Sequence, residues 1–430
     1  MRHIIAKFLY KVFGSYYKYT AMYIKYKYYT LFLQPSIRKR LAKKEKLNIL
    51  FFVIDLSMWK ADALFQELLK DSRYNPIIVS FLYPNQSLEN QKRTQNEMKY
   101  SFEAKGYPFV EGYNFETNTW FDAKLLKPDI IFYNQPYNIG HPINLIEHFW
   151  KNSLFIAIPY GFNVDNFPIL YNTLLFNIAW KTFVPNTYMI DYTSKIMFNK
   201  ARNQVYTGHF LFDELKKDLV NPWKKDHPTS KRIIWAPHHS IKSEDAADYS
   251  IGYSTFLDIA DEMLDIATRY KNVCQFAFKP HPLLRDKLYR QSSWGIKRTD
   301  DYFSQWEQME NTFVEEGEYA ALFSHSDAMI HDSCSFIADY IYTGKPTLFV
   351  SNDKNYIQST LNEFGKECFC LHYHGSTADI VDFIEEVVIK DNDPLYLMRQ
   401  QFIVDTTPKL SVAEAMKTEI DNLFKEDIWM

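Results

Sequence analysis

The sequence predicts an α/β protein made of two parallel-sheet domains, and three observations predict it. Short apolar runs alternate with amphipathic helical stretches in both halves of the chain. Those runs are apolar throughout, as strands covered on both faces are. The alternation breaks at a stretch rich in Lys, Asp and Pro, 216–231, and then restarts. A length of 430 residues fits two domains of ordinary size.

The elements follow in order. Leu47 to Ile54 reads as a buried strand, Ala61 to Leu69 as a helix and Pro76 to Phe81 as a second strand. Asp129 to Tyr133, Leu154 to Ile158 and Lys181 to Val184 continue the first sheet. After the linker, Arg232 to Trp235, Val273 to Phe278, Ala328 to Ile330 and Pro346 to Val350 read as strands. Thr255 with Asp258 predicts a capping box for a helix with Phe256, Ile259, Ala260, Met263 and Ala267 on its apolar face. Ser376 with Asp379 and Ser411 with Glu414 are read the same way. The expected organisation is a basic arm over 1–46, Rossmann-like domains over 47–215 and 232–410 joined by the linker 216–231, and a terminal helix over 411–430.

Composition excludes several classes. Apolar residues make up 47% and charged residues 23%, so the chain folds. Of its 12 glycines no two stand two apart, as the dinucleotide fingerprint needs, or five apart, as the Walker A loop needs, so both are absent. Residues 1–44 carry eleven Lys and Arg and no Asp or Glu, leaving 38 cations against 52 acids in the rest of the chain. Such an acidic body is not expected to bind nucleic acid.

The arm has apolar residues at helical spacing (Ile4, Ile5, Phe8, Leu9, Val12 and Phe13), then tyrosines interleaved with lysines. Lysines interrupt every apolar run, so neither a signal peptide nor a membrane span is expected. Two readings stay open. The helix lies in the headgroup layer of an anionic membrane, or it packs on the body of the protein. Four cysteines do not make a disulfide framework, and a reducing cytoplasm is the expected compartment.

Open α/β sheets bind ligands beyond the carboxyl ends of their strands, and two such domains are expected to face each other across a cleft. Three loops of the second half follow predicted strands. The first holds His238, His239 and Ser240, the second Lys279 and His281, and the third His331, Asp332, Ser333 and Ser335 at the start of a helix reaching about Tyr342. Hydroxyls and free N–H groups at a helix start favour a diphosphate, or Asp332 and Ser333 simply cap that helix. Lys279 and His281 suit a developing phosphate charge. Adjacent His238 and His239 point apart on an extended segment, so one metal rarely takes both. Cys368, Cys370, His372 and His374 alternate as in a strand, where four ligands in a row would span roughly 20 Å, too far for one zinc. Asp391-Asn392-Asp393 reads as a polar turn. In the first half the post-strand loops hold Asp55 and Trp59, then Gln135, then Tyr160 and Gly161. Amides and aromatic rings suit a polyol or sugar acceptor, and Asp55 and His141 are the candidate bases.

Taken together, these loops resemble the CDP-glycerol glycerophosphotransferase family, the polymerases and primases of teichoic-acid-type chains. The resemblance runs from about Pro159 to Val350, half the chain. Tyr160-Gly161 stands where the family often has Trp-His-Gly. Thr207-Gly208 through Asp213 resembles its Thr-Gly-Tyr-Pro-Arg-x-Asp segment, without the Arg. Trp235-Ala236-Pro237 is similar to Tyr-Ala-Pro, and Lys279-Pro280-His281-Pro282 to Lys-x-His-Pro. Asp327 through Ser333-Cys334-Ser335, then Lys345-Pro346, resemble its Asp-x-x-x-x-Asp-Tyr-Ser-Ser segment and the following Lys-Pro.

The resemblance implies a GT-B fold with the CDP moiety in the C-terminal domain and no metal or other cofactor. His281 would meet the phosphate, and Ser333 and Ser335 the diphosphate. Lys345 would line the same site. The expected function is transfer of glycerol- or ribitol-phosphate from a CDP-linked donor to an envelope glycan or lipid-linked acceptor. His281, Lys279, Ser333 and Ser335 would stabilise the departing nucleotide diphosphate. The expected location is cytoplasmic, on the inner face of the plasma membrane, held there by residues 1–44. A nucleotide-sugar glycosyltransferase and a catalytically degenerate scaffold are the alternatives.

Overall fold

The computed structural model describes residues 18–83, 88–134, 141–223, 231–242, 252–317, 319–334 and 336–428. The chain divides into two compact units. The first comprises 1–160, 167–213 and 408–430, and the second 161–166 and 214–407.

The first unit contains β1 (Leu47–Val53), β2 (Tyr74–Ser80), β3 (Phe109–Val110), β4 (Tyr113–Asn114), β5 (Thr119–Trp120), β6 (Ile130–Tyr133), β7 (Leu154–Ala157), β8 (Lys181–Val184) and β9 (Gln204–Tyr206). β4 and β5 form a small antiparallel pair, and the others one parallel sheet in the order β3-β2-β1-β6-β7-β8-β9. In the sheet's register Ile49 lies opposite Ile130, and Phe51 stacks flat on Phe132 at 4.2 Å. The strand order reverses between β1 and β6. That topological switch opens a crevice at the strands' carboxyl ends.

Two terminal segments complete this unit. A helix over 18–41 buries Tyr29, Ile37 and Leu41, and the Tyr29 hydroxyl donates to the Ser153 carbonyl at 2.9 Å. Its turns widen over Tyr29–Leu33, just before Pro35. Proline has no N–H to give Leu31, and its ring crowds that carbonyl, so a wider turn relieves the clash. The last helix, Val412–Asp421, packs on the Asp62–Lys70 helix. Lys417 bridges Asp71 and Asp421 there, at 2.8 and 3.0 Å. The Ser411 and Glu414 capping box does not form. Asp213 instead accepts from the N–H groups of Val412 and Ala413, both at 3.1 Å. A carboxylate from elsewhere in the chain outcompetes the local hydroxyl because it brings a full charge to the helix start.

The second unit contains β10 (Lys231–Ala236), β11 (Cys274–Phe278), β12 (Thr312–Val314), β13 (Ala328–His331), β14 (Thr347–Val350) and β15 (Tyr373–Gly375). All are parallel, in the order β12-β11-β10-β13-β14-β15, so the switch point lies between β10 and β13. Its core explains much of the aromatic content. Trp235 lies against Phe256, Phe278 and Trp306 with ring centres 5.7, 4.9 and 5.4 Å apart. Trp223, midway along the stretch read as a linker, is buried in a second cluster with Leu322 and Met329. Residues 224–230 of that stretch lie outside the described residues. Segment 161–166 joins this unit through Phe162, stacked on Tyr342 at 5.0 Å, and through the Asn163 carbonyl, which accepts from Asn362. Val164 passes so close to Gly365 that a Cβ there would meet its carbonyl oxygen at 2.3 Å.

The cysteine and histidine run is not one strand. Cys368 and Cys370 belong to the helix Glu363–Cys370, and His374 to β15. Asp393 does form a polar turn, with a use. It pairs with Arg399, whose fully buried guanidinium also donates to the carbonyls of Gly344 and Leu371.

Candidate functional site

In the second unit, three loops leave the carboxyl ends of the neighbouring strands β11, β10 and β13, flanking the switch point. They bring the side chains of His238, His239 and His281 together, with nitrogens within 4.8 Å of one another. His238 and His239, expected to point apart, lie side by side with ring centres 4.3 Å apart because the segment turns after Pro237 instead of staying extended. Ring centres of His281 lie 4.9 Å from His238 and 4.2 Å from His239. The backbone arranges this. The His281 N–H donates to the Pro237 carbonyl at 3.1 Å, tying one loop to the next.

Asp332 ties the third loop in. Its Oδ1 accepts from the His238 N–H at 2.6 Å. Its Oδ2 accepts from the Ser254 hydroxyl and the Thr255 N–H, both at 2.7 Å. The Thr255 hydroxyl adds a contact at 3.2 Å, so that residue serves Asp332 rather than a capping box. Burial raises the Asp332 carboxyl above the usual carboxylate range, and these donors offset only part of that rise. Asp332 is thus a positioning residue inside the loop cluster.

The rings' protonation follows from their partners. The Ser240 N–H donates to His238 Nδ1 at 3.2 Å, and the Leu283 N–H to His281 Nδ1 at 3.1 Å. A backbone N–H only donates, so each Nδ1 is unprotonated and each neutral ring carries its proton on Nε2. Burial holds His281 neutral, down at about 3, and His239, Lys287 and Lys279 press in the same direction. His238 is held well below the usual imidazole range by burial, then by His281, His239 and Lys287. The site is therefore electropositive and presents N–H donors.

That arrangement fits an anion and does not fit a metal ion. A metal-ligating histidine offers one bare nitrogen and donates with the other. Here the bare nitrogen of His238 and of His281 faces a main-chain donor, so ligation through Nε2 would cost each ring that hydrogen bond.

The structure places the remaining predicted residues as follows. The Lys279 ammonium is buried and donates to the Gly317 carbonyl at 2.8 Å. Ser333 is buried in the third loop, and Ser335 lies outside the described residues. The helix after them is one α turn, Phe336–Asp339, followed by a 3-10 turn to Thr343. So short a helix has little dipole, so the imidazoles contribute more than the dipole expected from the sequence. His331 is 1% exposed, and its Nδ1–H donates to the Ser333 carbonyl at 3.1 Å, shaping the loop from beneath. Lys345 caps the helix Ala320–His325, donating to the carbonyls of Phe323 and Ser324, and burial lowers its ammonium to about 8.

In the first unit a small cavity of about 20 Å³ opens at the β1/β6 switch point, lined by Phe51, Trp59, Phe132, Ile158 and Phe210 with Lys60, Asn134 and Tyr160. Trp59 is nearly buried, and its indole N–H donates to Asp62. Asp55 and Tyr160 both raise Tyr83, which burial first pushes up, to about 12 in all. Tyr160 offers its carbonyl to buried His209, 3.3 Å away, and Gly161 has open space where a Cβ would stand. His141 is stacked on Trp120 at 4.6 Å and caps the short turn Pro142–Asn144. Gln135 lies outside the described residues.

Sequence reasoning missed Tyr253 and Ser254. Tyr253 stacks on His238 at 5.2 Å and brings its hydroxyl to Nδ1 at 3.0 Å. They precede the helix Phe256–Arg269 by three and two residues, and that helix start was the signal available.

No family model matches the chain, and no curated protein matches it. Solved structures do. S. aureus MnaA with UDP aligns at a TM-score of 0.55 and 13% identity, covering 88% of this chain and 97% of that one. UDP-GlcNAc 2-epimerase from Neisseria meningitidis bound to UDP-GlcNAc aligns at 0.55 and 14%, covering 88% and 100%. A variant of the wall teichoic acid polymerase TagF aligns at 0.54 and 13%, covering 94% and 93%. The likeness shows the fold: a two-domain α/β architecture of the GT-B type.

Proposed function

We propose that this chain is a GT-B transferase whose second unit holds the diphosphate of an activated nucleotide donor, CDP-linked by the sequence resemblance. The observation that carries the reading is the pairing of two neutral Nε2–H imidazoles, His238 and His281, in an electropositive loop cluster at the switch point. An α/β sheet offers its ligand site at such a crevice. One of the similar structures is a TagF soaked with CDPG, which gives the donor class a precedent in the same fold.

The reaction proposed is polyol-phosphate transfer. The acceptor hydroxyl oxygen bonds to the polyol's phosphorus, the bridging P–O bond breaks, and CMP leaves while the hydroxyl proton passes to a base. The leaving group is then a monophosphate, and the Nε2–H donors meet the charge that develops on it. The first unit takes the acceptor, a glycan or lipid-linked sugar, at the carboxyl ends of its strands, where Asp55 follows β1 and is the proposed base. No cofactor takes part.

The test is a product assay with CDP-glycerol, CDP-ribitol and UDP-sugars in the presence of envelope glycan. Acceptor-dependent CMP release from a CDP-polyol is the expected result. UDP release from a UDP-sugar would replace this reading with a nucleotide-sugar glycosyltransferase. Nucleotide binding without turnover would favour the scaffold, a reading supported by the absence of His, Asp or Glu among the described residues that line the first-unit pocket.

A further inference from the structure

The helix over 18–41 has two apolar faces. One is used: Tyr29, Leu33, Ile37 and Leu41 recur every four residues against the first unit, where Tyr29 packs on Phe155. The other is open. Ile24, Tyr28, Leu31 and Phe32 stand at i, i+4, i+7 and i+8, which places them on one helix stripe. They are 62, 47, 61 and 66% exposed. Isolated exposed apolar residues need no explanation, but four on one stripe of one helix form a surface.

The charge around the stripe selects its occupant. No acid occurs in residues 1–44. Lys27 and Lys39 are exposed on this helix, and the Lys27 ammonium sits over the rings of Tyr23 and Tyr26 at 5.5 and 5.4 Å. Lys25 and Lys44 are paired, with Glu147 and Asp129, on the side that meets the body. Among the described residues no helix is long and apolar enough to cross a membrane. Exposed aromatic and aliphatic groups flanked by lysine, on a helix fixed along the protein surface, match the headgroup boundary of an anionic bilayer.

We propose that this helix lies in the plane of an anionic membrane, with Ile24, Tyr28, Leu31 and Phe32 entering the headgroup layer and the lysines meeting lipid phosphates. Over 18–41 the two readings of the arm are then compatible, one on each face, while Ile4 to Phe13 lie outside the described residues. This inference does not depend on the transferase reading.

Flotation of the full chain with phosphatidylcholine vesicles, with and without 30% phosphatidylglycerol, tests it against the double variant Leu31→Glu, Phe32→Glu. Both positions are exposed, so thermal stability should not change. The expected result is binding to the anionic vesicles alone, weakened by high salt and reduced about tenfold or more in the variant. Equal binding of wild type and variant would overturn it, as would no binding to anionic vesicles. A dimer in solution that the variant abolishes, without vesicle binding, would assign the stripe to a second copy of the chain instead.

Discussion

The carboxylate of Asp332 accepts a hydrogen bond of 2.6 Å from the backbone N–H of His238, so the loop after β13 sets where the loop after β10 can stand. The same carboxylate reaches Ser254 and Thr255, at the start of the Phe256–Arg269 helix. One buried side chain thus fixes three segments that surround the imidazole cluster.

Asp332→Ala should therefore cost both stability and binding. It strands the buried N–H groups of His238 and Thr255, a loss of about 3 kcal/mol. Urea unfolding followed by tryptophan fluorescence measures the first effect, and CDP titration the second. A variant as stable as wild type that binds CDP equally well would show that the loops hold themselves.

Acid should destabilise both units. Burial holds His209 of the first unit and His331 of the second at about 3. An unfolded histidine titrates near 6.5, so above that pH neither state binds the proton. Below it the unfolded chain takes a proton that the folded chain refuses, and stability falls as pH drops from about 6.5 towards 3. Each such imidazole costs about 1.4 kcal/mol per pH unit in that window. The urea midpoint at pH 5.5 should be well below that at pH 7.5, and an equal or higher midpoint at pH 5.5 would contradict the assignment of neutral buried rings.

The Arg399 guanidinium joins Asp393 to the carbonyls of Gly344 and Leu371 in the second unit. Removing one member of a buried ion pair leaves the other charge uncompensated, so Arg399→Ala should lose about 3–5 kcal/mol. A melting temperature within a degree of wild type would refute this.

Central strands were legible and edge strands were not. Leu47–Val53, Ile130–Tyr133 and Leu154–Ala157 are apolar runs covered on both faces, and that pattern survives in the sequence. β3, β9, β12 and β15 are two or three residues long, too short to show a period. The three loops of the site were legible because each follows a central strand. Their chemistry was less so. Asp332 and Lys345 look like ligand contacts in sequence, but the fold turns them inward onto backbone groups. Which imidazole nitrogen carries the proton depends on Ser240 and Leu283 N–H groups, and no side-chain pattern records that.

The most direct test of the central claim is calorimetric titration of CDP, and separately of Zn²⁺, into wild type and His281→Ala at pH 7.5. Loss of one donor to a charged phosphate should weaken CDP binding by about 1.5–3 kcal/mol, roughly 10- to 150-fold, with no stoichiometric zinc binding by either protein. Equal CDP affinity in the two proteins, or zinc bound one to one by the wild type alone, would contradict it.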